Sequence, residues 1–134
     1  MKKSTYLMVL LLLSLSCNQN DDTPQNDEST LHGSWSLTHI LGGLAGVNDD
    51  FETGIIVWDF NDNDHTINIT NNNTSNVIHS GYPSGVYNYE VITTANDTTL
   101  IIENTELKIT SLTTHQLIID EGYISDGFQY TFSK

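Results

Sequence analysis

Beyond residue 30 the chain alternates. Apolar and polar side chains exchange places in short runs, separated by clusters of Gly, Asn and Asp. That is the pattern of strands with one buried face, joined by tight turns. Thr, Ile, Val and Tyr dominate the runs, as suits a pleated, half-buried surface. The pattern predicts eight strands, near residues 34–41, 54–60, 65–71, 85–92, 99–103, 106–111, 116–121 and 127–133. Residues 76–79 either extend the third strand or pair beside it, and the glycines at 42, 43 and 46 make residues 41–46 a loop. The last four runs are two to five residues apart, which is hairpin spacing. No run after the first 17 residues keeps helical spacing over several turns. Sequential hairpins without a helical crossover make an up-and-down meander. Eight such strands remove their edges by closing. The expected fold class is all-β, an eight-stranded antiparallel up-and-down barrel.

Alternation assigns the inner face. Trp35, Leu37, His39 and Leu41 share one side of the first strand, and Ile56, Trp58 and Phe60 one side of the second. Ile67 and Ile69, then Tyr87, Tyr89 and Val91, then Leu100 and Ile102 continue the series. Leu107 with Ile109, Leu117 with Ile119, and Phe128, Tyr130 and Phe132 complete it. Each such side chain contributes roughly 1.5–3 kcal/mol when fully buried, so the set can support folding without disulfides.

The beginning of the chain follows other rules. Lys2 and Lys3 precede an apolar run over residues 7–13. A membrane-spanning helix needs about 20 such residues, so the run reads as a secretion signal. It ends in Ser14-Leu15-Ser16-Cys17, which resembles the lipobox of bacterial lipoproteins. The resemblance implies that Cys17 is acylated and becomes the mature first residue. The alternative is an ordinary signal peptide cleaved nearby, with Cys17 incidental. Residues 18–30 contain no aliphatic or aromatic side chain, cannot bury enough surface to fold, and read as a flexible acidic tether. Asp21 and Asp22 resemble the acidic signals that send some lipoproteins to the outer face of the outer membrane. The organisation expected is a signal at 1–16, acylated Cys17 and tether over 17–30, and one barrel domain over 31–134.

Cys17 is the only cysteine of the 134 residues, so no internal disulfide can form. Once the signal is removed, Lys108 and Lys134 face 17 acidic groups, a formal charge of −15. This excludes a nucleic-acid role and a basic membrane patch. It favours solubility and attraction for cations or basic partners.

Candidate chemistry is sparse. Asp59, Asn61 and Asn63 alternate like the start of a calcium loop, but Asp64 takes the place of the required glycine and Thr70 that of the closing glutamate. A turn closed by side-chain hydrogen bonds is the better reading. Asn48, Asp49, Asp50 and Glu52 form a second acidic loop. The histidines at 32, 39, 65, 79 and 115 show no metal-ligand spacing. His39 points inward beside Trp35 by alternation, while His65 and His79 fall at strand ends. Glu90 alternates outward, and no motif marks a nucleophilic serine. Neither catalysis, a cofactor nor a metal is expected.

Gly33-Ser34-Trp35 resembles the Gly-x-Trp opening of the lipocalin-like proteins. Trp58-Asp59-Phe60, Gly85-Val86-Tyr87, Leu117-Ile118-Ile119 and the ending from Asp126 to Phe132 follow in the order seen in small bacterial lipocalin-like lipoproteins. The resemblance implies a barrel in which Gly33 and Trp35 plug one end and the other mouth admits a small apolar ligand. The chain departs from that family in its short barrel region, in having no C-terminal helix, and in having no arginine to pack on Trp35. Its inward aromatic residues could fill the barrel outright.

The expected function is that of a lipid-anchored, outer-membrane cell-envelope protein facing periplasm or surface, holding a small hydrophobic ligand. His39, Trp58, Tyr87, Tyr89 and Tyr130 are the expected lining, and a monomer is expected. The alternative is a protein-interaction or inhibitor module with a filled barrel and active acidic loops. A third reading is calcium-dependent adhesion or stabilisation.

Overall fold

The computed structural model describes residues 30–134; the signal, Cys17 and residues 18–29 lie outside them. Nine strands are present: β1 (Gly33–Gly42), β2 (Val47–Asp50), β3 (Ile56–Asn61), β4 (Thr66–Asn71), β5 (Gly85–Thr93), β6 (Thr98–Ile102), β7 (Thr105–Leu112), β8 (Gln116–Asp120) and β9 (Phe128–Ser133). They form one antiparallel sheet in the order β2-β1-β3-β4-β5-β6-β7-β8-β9, and β9 returns to pair with β1. β2 and β3 lie along the same edge of β1, with Asp50 opposite His39 and Val57 opposite Ser36. They are two halves of one interrupted strand, so the sheet closes as an eight-stranded barrel.

The eight expected strands are all present, and three expectations need correction. Asn48, Asp49 and Asp50 are not a loop but most of β2. Asn and Asp are poor strand formers, and only Val47 of that strand is buried, at 4% exposure. Backbone pairing with β1 holds it in place. Residues 76–79 form no strand. They belong to the connection over 72–84, which Asn71 organises by donating through Nδ2 to the carbonyls of Ser80 (2.9 Å) and Tyr82 (3.0 Å).

The third correction concerns the face of β1. The register shifts between Leu37 and His39. A bulge adds one residue and exchanges the faces beyond it. Ile40 therefore takes the inward position, fully buried, while His39 and Leu41 are only half-buried.

Trp35, Leu37, Ile40, Ile56, Trp58, Ile67, Leu100, Ile102, Leu107, Leu117 and Ile119 all have 0% exposure, and Phe60, Ile69, Tyr130 and Phe132 have 1%. These side chains are almost wholly removed from solvent, so the barrel centre is well packed. Space for a ligand lies at the ends.

Candidate functional site

Trp35 closes the end where β1 begins. Its indole Nε1 donates to the Leu31 carbonyl at 2.7 Å. Lys134 crosses the outside: its Nζ lies 4.6 Å from the centre of the Trp35 ring and donates to the His32 carbonyl at 2.6 Å. Lys134, which directly follows β9, is thus the cation that packs on this tryptophan. A Cβ on Gly33 would come within 3.5 Å of that lysine side chain, and Gly33 has φ +96°, a conformation glycine takes at little cost.

Beside this plug an open groove of about 550 Å³ runs along the barrel end. β5 and β7 continue past the last core layer there; Ile109 and Leu112 are half-buried against the core, and among the described residues Val91 is left exposed. Leu31, Tyr89, Val91, Ile109 and Leu112 supply an apolar wall. Val91 is 40% exposed. The polar groups at the groove are Asp62 and His65, from the β3–β4 turn, with Glu90 and threonine hydroxyls. Tyr89 Oη donates to Asp62 Oδ1 at 2.6 Å. Burial first, then this bond and the charge of Asp62, raise the Tyr89 pKa far above the ordinary tyrosine value, so the phenol stays protonated.

The β3–β4 turn is built from Asn61. Its Oδ1 accepts from the backbone N–H of Asn63 (3.0 Å) and Asp64 (3.4 Å), and its Nδ2 donates to Asp64 Oδ2 (3.0 Å). This is the side-chain-closed turn expected of the segment. Asp59 accepts from Ser34 Oγ at 2.8 Å. Among the described residues no three His, Cys, Asp or Glu side chains gather as a metal set.

The opposite end is covered. Residues 72–84 fold across it, and Gly81 lies over the core so closely that a Cβ there would be 3.4 Å from Leu37 and 3.9 Å from Ile40 and Tyr130. Tyr82 stands edge-on to Trp58 with ring centres 5.3 Å apart. A small depression of about 240 Å³ remains outside this cover, lined by His79, Tyr82, Glu121, Phe128 and Tyr130. Tyr130 Oη donates to Glu121 Oε2 at 3.0 Å and accepts from His79 Nε2–H at 3.0 Å. His79 also stacks on Phe128 with ring centres 4.0 Å apart. Burial lowers the His79 pKa, with the Glu121 charge opposing. Burial and Glu121 together raise that of Tyr130.

The expected ligand-lining residues are therefore scattered. Tyr89 lines the groove and Tyr130 the far depression. Trp58 is sealed in the core, its Nε1 without a hydrogen-bond partner among the described residues. Tyr87 is half-buried and donates from Oη to the Pro83 carbonyl at 3.0 Å. His39 does not point into the barrel: beyond the bulge it turns to the outer face, where its Nδ1 meets Asp50 Oδ1 at 2.7 Å. The expectation missed Leu31, Asp62, Ile109 and Leu112. A signal was present at Val91-Ile92, where two adjacent apolar residues at the end of a strand leave one exposed whichever face is buried.

No family model matches the sequence, and no curated protein matches it. Among solved structures, a lipocalin-like protein from Bacteroides uniformis ATCC 8492 is similar at 11% identity, covering 78% of this chain and 97% of that one with a TM-score of 0.47. The barrel described above stands on this chain's own strand pairing.

Proposed function

We propose that the chain is a lipid-anchored cell-envelope barrel of lipocalin-like type that binds a small apolar ligand without transforming it. The observation that carries the binding is the groove: an uncovered apolar wall of about 550 Å³ with few polar groups at its edge, the usual make-up of a small-molecule site. In this reading the ligand lies at the barrel end beside Tyr89, not at the barrel centre. Anchoring through Cys17 and an outer-membrane location rest on the lipobox-like Ser14-Leu15-Ser16-Cys17 and the tether behind it.

The test is titration of the full chain with an uncharged fluorescent apolar probe. Val91→Lys places a charge on the wall at an already exposed position and is expected to abolish binding. Ile78→Lys, at a 75% exposed residue of the 72–84 connection, is expected to leave it unchanged. Equal loss in both variants, or in neither, defeats the proposal. For the anchor, Cys17→Ala is expected to move the protein from the membrane to the soluble fraction.

The packed barrel centre favours a second reading, a protein-interaction module working through acidic surface loops. Capture of a basic partner that weakens steeply with salt, and that Val91→Lys leaves intact, would select it.

A further inference from the structure

We propose that the groove beside Tyr89 takes an amphiphile with a cationic head of amine or ammonium type, and discriminates against the carboxylate of a free fatty acid. The inference rests on the groove being the ligand site and names the chemistry of its occupant. Leu31, Val91, Ile109 and Leu112 offer an alkyl or ring surface nothing but apolar contact. The carboxylates at the edge are Asp62 and Glu90, with the His65 imidazole beside them. Asp62 is about half exposed, at 54% of its side chain, so a head group can reach it from solvent. Its Oδ1 is held by Tyr89 Oη at 2.6 Å, and its Oδ2 lies 3.9 Å from His32 Nδ1. Glu90 borders the same opening. The two lysines among the described residues are engaged elsewhere: Lys108 pairs with Asp97, and Lys134 with the His32 carbonyl and the Trp35 ring.

An anionic head laid against this wall brings its charge next to Asp62 with no lysine to offset it. The apolar wall lowers the local dielectric and strengthens the repulsion. A cationic head meets Asp62 as a counter-ion, while its tail covers Val91 and Leu112.

The full chain is titrated with three probes of equal alkyl length, each below its micelle-forming concentration: an alkyltrimethylammonium, an alkanol and an alkanoate. Amide chemical shifts locate the binding. The expected result is a set of shifts at Val91, Ile109 and Leu112, with the ammonium probe bound about tenfold more tightly than the alkanoate at low salt. Asp62→Asn, which keeps an acceptor for Tyr89, is expected to bring the two within about threefold of each other. Glu52→Gln, at a residue bordering a different depression, leaves the ratio in place. Equal affinities for the two charged probes, or a preference that Asp62→Asn does not reduce, overturns the charge selection while the groove stands as a site. Absence of groove shifts with all three probes overturns the groove itself.

Discussion

At the end where β1 begins, the short turns over 62–65, 94–97 and 113–115 connect the strands, and among the described residues the inward face of β5 and β7 borders an open groove. At the other end residues 72–84 fold back across the barrel, and Gly81 and Tyr82 lie against Leu37 and Trp58. The two ends share one sheet, with the alternation of β1 broken between them by its bulge. Among the described residues they differ in how much chain lies over the last layer. An apolar inward face becomes core where a long connection reaches over it and a groove where the turns are short. The ends differ in kind as well: Trp35 is a single side chain held by a carbonyl and a lysine, while Gly81 and the Tyr82 ring lie across the opposite end.

Removing the plug should have the largest effect. Trp35→Ala deletes a fully buried indole and is expected to cost about 3–5 kcal/mol in denaturant unfolding. Lys134→Ala, which takes away only the outer cover, should cost about 0.5–1 kcal/mol. Comparable losses for the two would mean that the lysine, not the indole, closes this end.

At the covered end the first test is Tyr130→Phe. It leaves Glu121 and His79 without the hydroxyl that joins them and is expected to cost about 1–3 kcal/mol. The same cluster gives a pH dependence. Burial lowers the His79 pKa below its ordinary 6.5, against the pull of Glu121, so the folded ring prefers to be neutral. As pH falls the unfolded chain takes the proton first. The associated stability is complete above pH 6.5 and is lost as pH drops through the lowered native value. His79→Gln should remove that part of the decline in pH-dependent unfolding. An unchanged profile would mean that the ring is hydrated in the folded state.

A smaller effect is expected from Gly81→Ala. The φ of +78° strains any residue with a Cβ, and the added carbon meets Leu37 at 3.4 Å. The expected cost is about 1–2 kcal/mol, accompanied by greater acrylamide quenching of Trp58 as the cover loosens. Loss of stability without a change in quenching would separate backbone strain from the sealing of this end.

The barrel was legible because period-two burial needs only local sequence: Ile56, Trp58 and Phe60, or Leu117 and Ile119, declare their face without knowledge of their neighbours. What local sequence does not carry is register. The bulge after Leu37 arises where β1 changes partner from β3 to β2, and it alone decides that Ile40 and not His39 enters the core. β2 was hidden for the same reason, since Asn48, Asp49 and Asp50 are strand only through what they pair with. The groove depends on an event further away still. Tyr89 could be read as inward, but whether it meets core or solvent is set by Asp62 from another turn and by Leu31 from the start of the domain. Residues brought together by barrel closure leave no spacing in the chain.

Tyr89→Phe sets the two ends against each other with the smallest change. It removes one hydroxyl from the groove and leaves the ring that packs edge-on against Phe60, with centres 5.4 Å apart. Asp62 is half exposed, so water replaces the lost donor, and the stability cost should be about 0.5–1.5 kcal/mol, below that of Tyr130→Phe, whose partners at the covered end are less accessible. Binding should move the other way. Freed from Tyr89, the Asp62 carboxylate has its full charge available to a cationic head, and affinity for the ammonium probe is expected to rise up to about threefold. A fall in that affinity would show that the hydroxyl itself contacts the ligand, and would shift the recognition from the carboxylate to the phenol.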